Sequence, residues 1–213
     1  MGVVMLALLL FLAAGTVNWI AGWAMVIVMA GWVTATAIVV IPRHPELLAE
    51  RVGPTKGAKT WDVALSGLLG VTMMIMWVVA GLDVRYRWSS GIGSVAQIGA
   101  MLLVIAGYAL VVWATGVNAF FSQVVRIQSE RGHVVISTGP YRSVRHPAYV
   151  GMILVVSGSP IMLGSWWALI PGILSALLVI VRTALEDRTL QAELPGYAEY
   201  AQHTRYRLLP GVW

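Results

Sequence analysis

Residues 148–181 read AYVGMILVVSGSPIMLGSWWALIPGILSALLVIV, thirty-four positions without a charged side chain. As a single helix this stretch would reach about 51 Å at 1.5 Å per residue, far beyond the ~30 Å hydrocarbon core of a bilayer. Gly158, Pro160 and Gly164 interrupt its middle. It therefore reads as a tight hairpin of two apolar helices. Residues 1–42 repeat the situation: they carry no charge, are too long for one pass, and have Gly15, Asn18 and Trp19 grouped at a natural turn. Two helices follow, near 2–16 and 19–41. Further spans fall near 61–82 and 92–117, with Asp83, Arg85 and Arg87 in a short loop between them.

Composition agrees with this pattern. Of 213 residues, 59% are hydrophobic and 11% charged, against roughly 45–50% and about 25% in soluble domains. A disordered chain, a coiled coil and an ordinary soluble enzyme are excluded. The expected fold is all-α, a polytopic bundle with five to six transmembrane segments. Its N-terminal helices occupy 1–117, and a C-terminal region of loop, helix hairpin and polar tail occupies 118–213.

Cysteine is absent, so disulfides and thiolate metal sites are ruled out. The four His residues show no paired-ligand spacing, and no metal is expected. The fourteen Lys and Arg fall four each in 42–60, 118–147 and 182–213, with two in 83–91. Twelve therefore lie on one side of the bundle. The positive-inside rule makes that side cytoplasmic, together with both termini. Every basic residue sits in a short segment between apolar runs, so membrane topology explains the charge and no nucleic-acid partner is expected. The triplet Arg43-His44-Pro45 echoes Arg145-His146-Pro147 and reads as a loop entering a helix.

Chemistry is expected where polar groups meet the membrane face. His133–Ile136 reads as a short extended strip rich in β-branched residues. Gly139-Pro140 marks a turn, and Pro147 suits the first position of a helix. That helix N-terminus offers free N–H groups to an anion, with Tyr141 and Tyr149 presenting aromatic faces beside it. Strip, helix end and rings together suit a nucleoside-containing cofactor with an anionic end. A plainer reading keeps His146-Pro147 as a helix start only and the tyrosines as interfacial anchors. Arg182 and Glu186 are four apart, on one helical face if the last span continues. Here the plain reading is a snorkelling arginine with an ordinary i,i+4 partner. Ionisable groups within the spans would suggest transport. Asp62, at a span edge, stands alone in that respect.

The pattern His133-x-Val135, Gly139-x-Tyr141, Arg145-His146-Pro147-x-Tyr149-x-Gly151 and Arg182-x-x-x-Glu186 resembles the isoprenylcysteine carboxyl methyltransferase family, itself related to membrane phospholipid methyltransferases. The resemblance covers about 118–213. It implies S-adenosylmethionine as cofactor, S-adenosylhomocysteine as product, and a lipophilic acceptor entering from the bilayer. It implies cofactor contacts from Gln128 (at altered spacing), His133, Val134, Val135, Ile136, Tyr141, His146, Pro147, Ala148, Tyr149 and Glu186. Arg182 would face the acceptor and work with Glu186 in catalysis. Asp187 stands where a second Glu is usual, and Ala148 where Ser is common. The acceptor implied is a carboxylate, with phospholipid N-methylation as an alternative. The tail, with Tyr197, Tyr200, Tyr206, Arg207, Pro210 and Trp213, is similar to the ending of NADPH-dependent sterol reductases and also reads as a cytoplasmic lid.

Overall fold

The computed structural model describes residues 2–47, 57–89 and 91–213. Parts of the 42–60 loop, including Arg51 and Lys56, lie outside the described residues, as does most of the helix expected after Pro45. The described helices are α1 (Gly2–Ala14), α2 (Ile20–Val40), α3 (Thr60–Tyr86), α4 (Ser94–Val117), α5 (Pro147–Met162), α6 (Leu169–Glu193) and α7 (Tyr197–His203). No strand occurs among the described residues.

Helices α2, α3, α4 and α6 are long and apolar enough to cross a membrane, and α1 and α5 are shorter apolar helices. The protein is a polytopic helical membrane bundle. Its outer face carries Leu12, Ile20, Ile27, Val95 and Ile173, all more than half exposed. In water such a continuous apolar surface would aggregate, whereas in a bilayer lipid tails cover it.

Each turn has a local cause. Gly15 adopts φ +66° directly after α1, and Asn18 N–H bonds to Thr16 Oγ1 at 3.0 Å. At the α5–α6 hairpin, Pro160 lies in the last turn of α5 and Gly164 takes φ +80°. The hairpin expected over 148–181 is thereby found. One expectation needs correction. Asp83 and Arg85 do not sit in a loop, because α3 continues to Tyr86 and closes on Arg87 in the left-handed region at φ 54°. Asp83 is what holds this extra turn. It is buried and accepts Ser89 N–H at 2.7 Å, the Ser89 hydroxyl at 2.6 Å and the Ser165 hydroxyl.

Helix α1 packs on α3, α4 on α5, and α6 on both α3 and α5. The core joins Leu6 and Leu10 to Met25, Met76, Val104 and Val155. At α4–α5 the two backbones almost touch: a Cβ on Gly107 would lie 2.6 Å from Gly151 O, and one on Gly151 would lie 2.5 Å from Gly107 O. Small residues that permit such contact are the usual glue between helices in lipid, where water supplies no driving force. Inside the bundle Ser175 donates to Thr72 Oγ1 at 2.9 Å, joining α6 to α3.

The loops sort into two faces. Lys59 N–H bonds Val125 O at 3.2 Å, Lys59 Nζ meets Glu193 at 2.7 Å, and Arg131 meets Glu46 at 3.0 Å. The three segments rich in Lys and Arg thus lie together. On the opposite face Asp83 gathers Ser89 and Ser165, and Gly15 lies near the Arg85 side chain.

Candidate functional site

The site lies where α3, α5 and α6 reach the basic face. Because α6 runs unbroken from Leu169 to Glu193, Arg182 and Glu186 share one of its faces. Arg182 does not snorkel. It is 8% exposed, its Nε donates to Asp62 Oδ1 at 2.7 Å, and its Nη2 donates to Asp62 Oδ2 at 3.2 Å and Gln123 O at 2.7 Å. Asp62 is fully buried and also accepts Val125 N–H at 2.7 Å. The Arg182 guanidinium lies 5.5 Å from the centre of the Tyr149 ring, and the Tyr149 hydroxyl donates to Glu186 Oε2. One edge of the arginine fork is therefore committed to Asp62 and Gln123, and Nη1 makes no hydrogen bond among the described residues.

A second cluster centres on Asp187, also fully buried. Arg145 grips it with Nε at 2.7 Å and Nη2 at 3.0 Å, a bidentate geometry that Lys cannot reproduce. Arg207 Nε at 2.8 Å, Gln191 Nε2 at 2.7 Å and the Tyr197 hydroxyl at 3.1 Å complete its shell, and His146 Nε2 lies 3.2 Å away. Arg145 Nη1 also donates to Thr204 O at 2.9 Å and Arg205 O at 2.8 Å. The backbone N–H groups of Arg145 and His146 donate to Tyr206 O and Arg207 O at 2.9 and 3.0 Å. The tail therefore docks on the start of α5, and Arg207 stacks over Trp213 at 4.9 Å. Burial pushes the Tyr197 hydroxyl up, beside Asp187, and Tyr200 up to about 12. Both remain neutral donors, Tyr200 to Tyr141 O at 2.6 Å.

The loop is braced from within. Gln128 is fully buried. Its Nε2 donates to Phe120 O at 2.7 Å and its Oε1 accepts from Arg131. Its backbone N–H points at His133 Nδ1, 3.3 Å away. A backbone N–H can only donate, so that ring nitrogen carries no proton. Burial, followed by the nearby Arg131 charge, holds the His133 imidazole below its ordinary value. The ring stacks on Phe120 at 4.5 Å. Beyond it, Val134–Ile136 belongs to no helix or strand, and none of the described residues hydrogen-bonds its backbone.

One cavity of about 450 Å³ connects these parts. At the loop end it is lined by His133, Val134, Val135, Ile136 and Tyr141, and deeper by His146, Ala148, Tyr149, Arg182 and Glu186. It then continues between the helices past Trp32, Thr36, Met73, Trp77 and Tyr108. Of the residues singled out from sequence, Gln128 and Pro147 are not in the lining. Gln128 faces inward and supports the loop, and Pro147 opens α5.

Sequence reasoning missed Asp62 as the partner of Arg182, the backbone of Gln123–Val125, and Asp187 as the hub of the tail. Asp62 had a readable signal, an acid at the start of an otherwise apolar span. The 123–125 contribution had none, because backbone groups carry no side-chain signature. No cluster of His and carboxylates able to hold a metal occurs among the described residues.

Residues 95–194 match the family model described as phospholipid methyltransferase. The match takes in α4 from its second residue, the loop, α5 and the whole of α6, and leaves out Asp62, Tyr197 and the tail. No curated protein matches the chain. This is the family related to the one that the sequence motif resembles, and with the apolar bundle it supports a membrane methyltransferase.

Proposed function

Proceeding from a helical membrane protein that carries a phospholipid methyltransferase signature over residues 95–194, we propose that it transfers a methyl group from S-adenosylmethionine to a carboxylate on a lipophilic acceptor. The observation that carries this reading is the single cavity running from the loop, past Arg182 and Glu186, into the bundle. A water-soluble donor and an oily acceptor need such a path, open to both phases.

The residues fit the cofactor. The segment 134–136 has unpaired backbone groups for an adenine base, and His133, Tyr141 and Tyr149 offer aromatic faces around it. Glu186 offers a carboxylate near the position a cationic donor would take. When bound, S-adenosylmethionine supplies a methyl group activated on a sulfonium sulfur. A carboxylate oxygen that forms the new C–O bond leaves the C–S electron pair on sulfur, and there is no proton to remove. The protein's task is then alignment, which can lower the barrier by several kcal/mol. Arg182 Nη1 holds the acceptor oxygen, while Asp62 and Gln123 fix the guanidinium. Tyr149 orients Glu186. The docked tail, through Asp187, holds Arg145 and His146 and excludes water from the loop end. The C-terminal region 118–213 thus forms the catalytic part on the scaffold of 1–117, with Asp62 lent by the scaffold.

The tail's likeness to sterol reductases favours NADPH, whereas the family match favours the methyl donor. Calorimetry on purified protein should give heat with S-adenosylhomocysteine and none with NADPH, and the reverse would overturn the proposal. Arg182→Ala should abolish transfer from labelled S-adenosylmethionine to lipid extract while S-adenosylhomocysteine still binds. His146→Ala should weaken that binding first. The loop face and both termini are cytoplasmic in this reading. The natural chain lacks cysteine, so single Ser129→Cys and Thr16→Cys variants report sidedness to an impermeant thiol reagent. Labelling of Ser129→Cys from outside intact cells would reverse the orientation.

A further inference from the structure

A second hollow lies between α2 and α4. It measures about 760 Å³ and is lined mainly by apolar side chains, from Val28 and Ile105 at one end to Val39 and Val117 at the other. Helices α2 and α4 end at Val40 and Val117, so the Val39–Val117 end is the one beside the loops. From Val28 to Val39 the lining climbs about 16 Å along α2, which is the depth of one leaflet's share of the ~30 Å hydrocarbon core. A Cβ on Gly31, in the same lining, would meet nothing within 4 Å, so the groove is open there. Trp32 and Tyr108 stack on each other at 4.7 Å and line both this groove and the Arg182 cavity. The two hollows therefore lie on either side of one stacked pair.

A single charge stands at the loop end. Arg43 is the one charged side chain among the residues lining the groove and the first in the sequence. It is exposed, and its Nη1 donates to Val39 O at 3.0 Å, which folds the guanidinium back over the end of α2. It makes no other hydrogen bond and no ion pair among the described residues. The acid nearest to it in sequence among them, Glu46, is taken by Arg131 at 3.0 Å and His44 at 3.5 Å. Trp113, also in the lining, is 56% exposed. Its indole nitrogen reaches the loop, where a Cβ on Gly139 would lie 3.4 Å from it. An exposed indole at that height marks the headgroup boundary. An apolar trough one leaflet deep, under an unneutralised cation at headgroup height, has the shape and charge of a lipid site.

We propose that this groove binds one anionic phospholipid of the surrounding bilayer, with its phosphate on Arg43 and one acyl chain between α2 and α4 against Trp32 and Tyr108. Net charge selects the class. A zwitterionic lipid brings its own ammonium group close to Arg43, whereas a headgroup with only a negative charge leaves the phosphate free to pair with the guanidinium. This lipid is a resident of the outer surface and is not the methyl acceptor. The proposal goes beyond the reaction at Arg182 and holds whatever that reaction is.

The test uses the purified full chain in mild detergent and native mass spectrometry. Phosphatidylglycerol and phosphatidylcholine with identical chains are added in equal amounts, and the first lipid retained is counted. An arginine at the membrane surface favours an anionic lipid by about fivefold, so phosphatidylglycerol should be retained about fivefold more often. Arg43→Gln should bring that ratio near one. Arg87→Gln, an exposed arginine at the opposite face, should leave it unchanged. Gly31→Trp places a ring in the open groove and should lower retention of both lipids severalfold. Circular dichroism and thermal unfolding of the same samples check the fold. Equal retention of the two lipids by the natural protein overturns the proposal, as does a preference that survives Arg43→Gln. Unchanged retention in Gly31→Trp also overturns it, since surface charge alone would then hold the lipid. A dimer without lipid would overturn it in favour of a second copy of the chain in the groove.

Discussion

Replacing Asp62 by Asn should damage both stability and acceptor binding. The carboxylate accepts three hydrogen bonds, from Arg182 Nε at 2.7 Å, Arg182 Nη2 at 3.2 Å and Val125 N–H at 2.7 Å. An amide of the same shape has one oxygen and one NH₂, so at least one donor would then face a donor. Arg182 would keep its charge with its main counter-ion gone. Removing one partner of a buried pair typically costs about 3–5 kcal/mol. The paired change Asp62→Leu with Arg182→Met should recover most of that loss, since apolar replacement of a whole buried pair is often neutral. The double variant should nonetheless be inactive. Denaturant titration in mild detergent of the natural protein, Asp62→Leu, Arg182→Met and the double variant gives the coupling, expected at several kcal/mol because each single loss is about 3–5 kcal/mol and the double loss is small. Methyl transfer is measured in parallel. Strictly additive losses would refute the pairing, and an active double variant would refute the role given to Arg182.

Arg145→Lys loses the two-pronged grip on Asp187 and the bonds to Thr204 O and Arg205 O. Residues 204–213 should become sensitive to limited proteolysis, and S-adenosylhomocysteine affinity should fall roughly tenfold. His133 is held below its ordinary value by burial, so its neutral form is the one the fold favours. Its contribution is complete above about pH 6.5 and is lost as the pH falls further. Calorimetry should therefore show S-adenosylhomocysteine binding that weakens on acidification, and His133→Gln should flatten the profile. Gly107→Ala places a Cβ 2.6 Å from Gly151 O and 3.0 Å from Val155 Cγ2. It should destabilise by about 1–3 kcal/mol in a thermal unfolding assay, whereas Gly31→Ala, with nothing within 4 Å, should be nearly neutral.

The bundle was legible because a bilayer imposes a length on every apolar run. The two charge-free blocks had to fold back, and glycine and proline marked where. The Lys and Arg distribution likewise separated the loops into the two faces that the structure has. Where α3 ends was misread, since Asp83 looks like a loop residue until Ser89 and Ser165 are seen to surround it. Local charge cannot reveal partners brought in by tertiary packing. The same limit explains the site. Tyr149 and Arg182 lie on α5 and α6, so their placement on a helix was readable from the pattern, whereas His133 lies in a loop and was singled out by the motif and its resemblance. The Asp62–Arg182 pair spans 120 positions, and Gln123 and Val125 contribute only backbone atoms. Gln128 entered only through the family resemblance, at altered spacing. Its amide instead faces the loop's own interior.

The contact between Gly107 and Gly151 bears on how the molecule moves. Helices α4 and α5 carry the two feet of the loop that ends at His146, and their backbones are pinned against each other within the bilayer. Opening or closing of the water-facing half leaves those feet at a fixed separation. The width of the greasy chamber beneath is thereby set by backbone against backbone rather than by side chains that a guest could push aside.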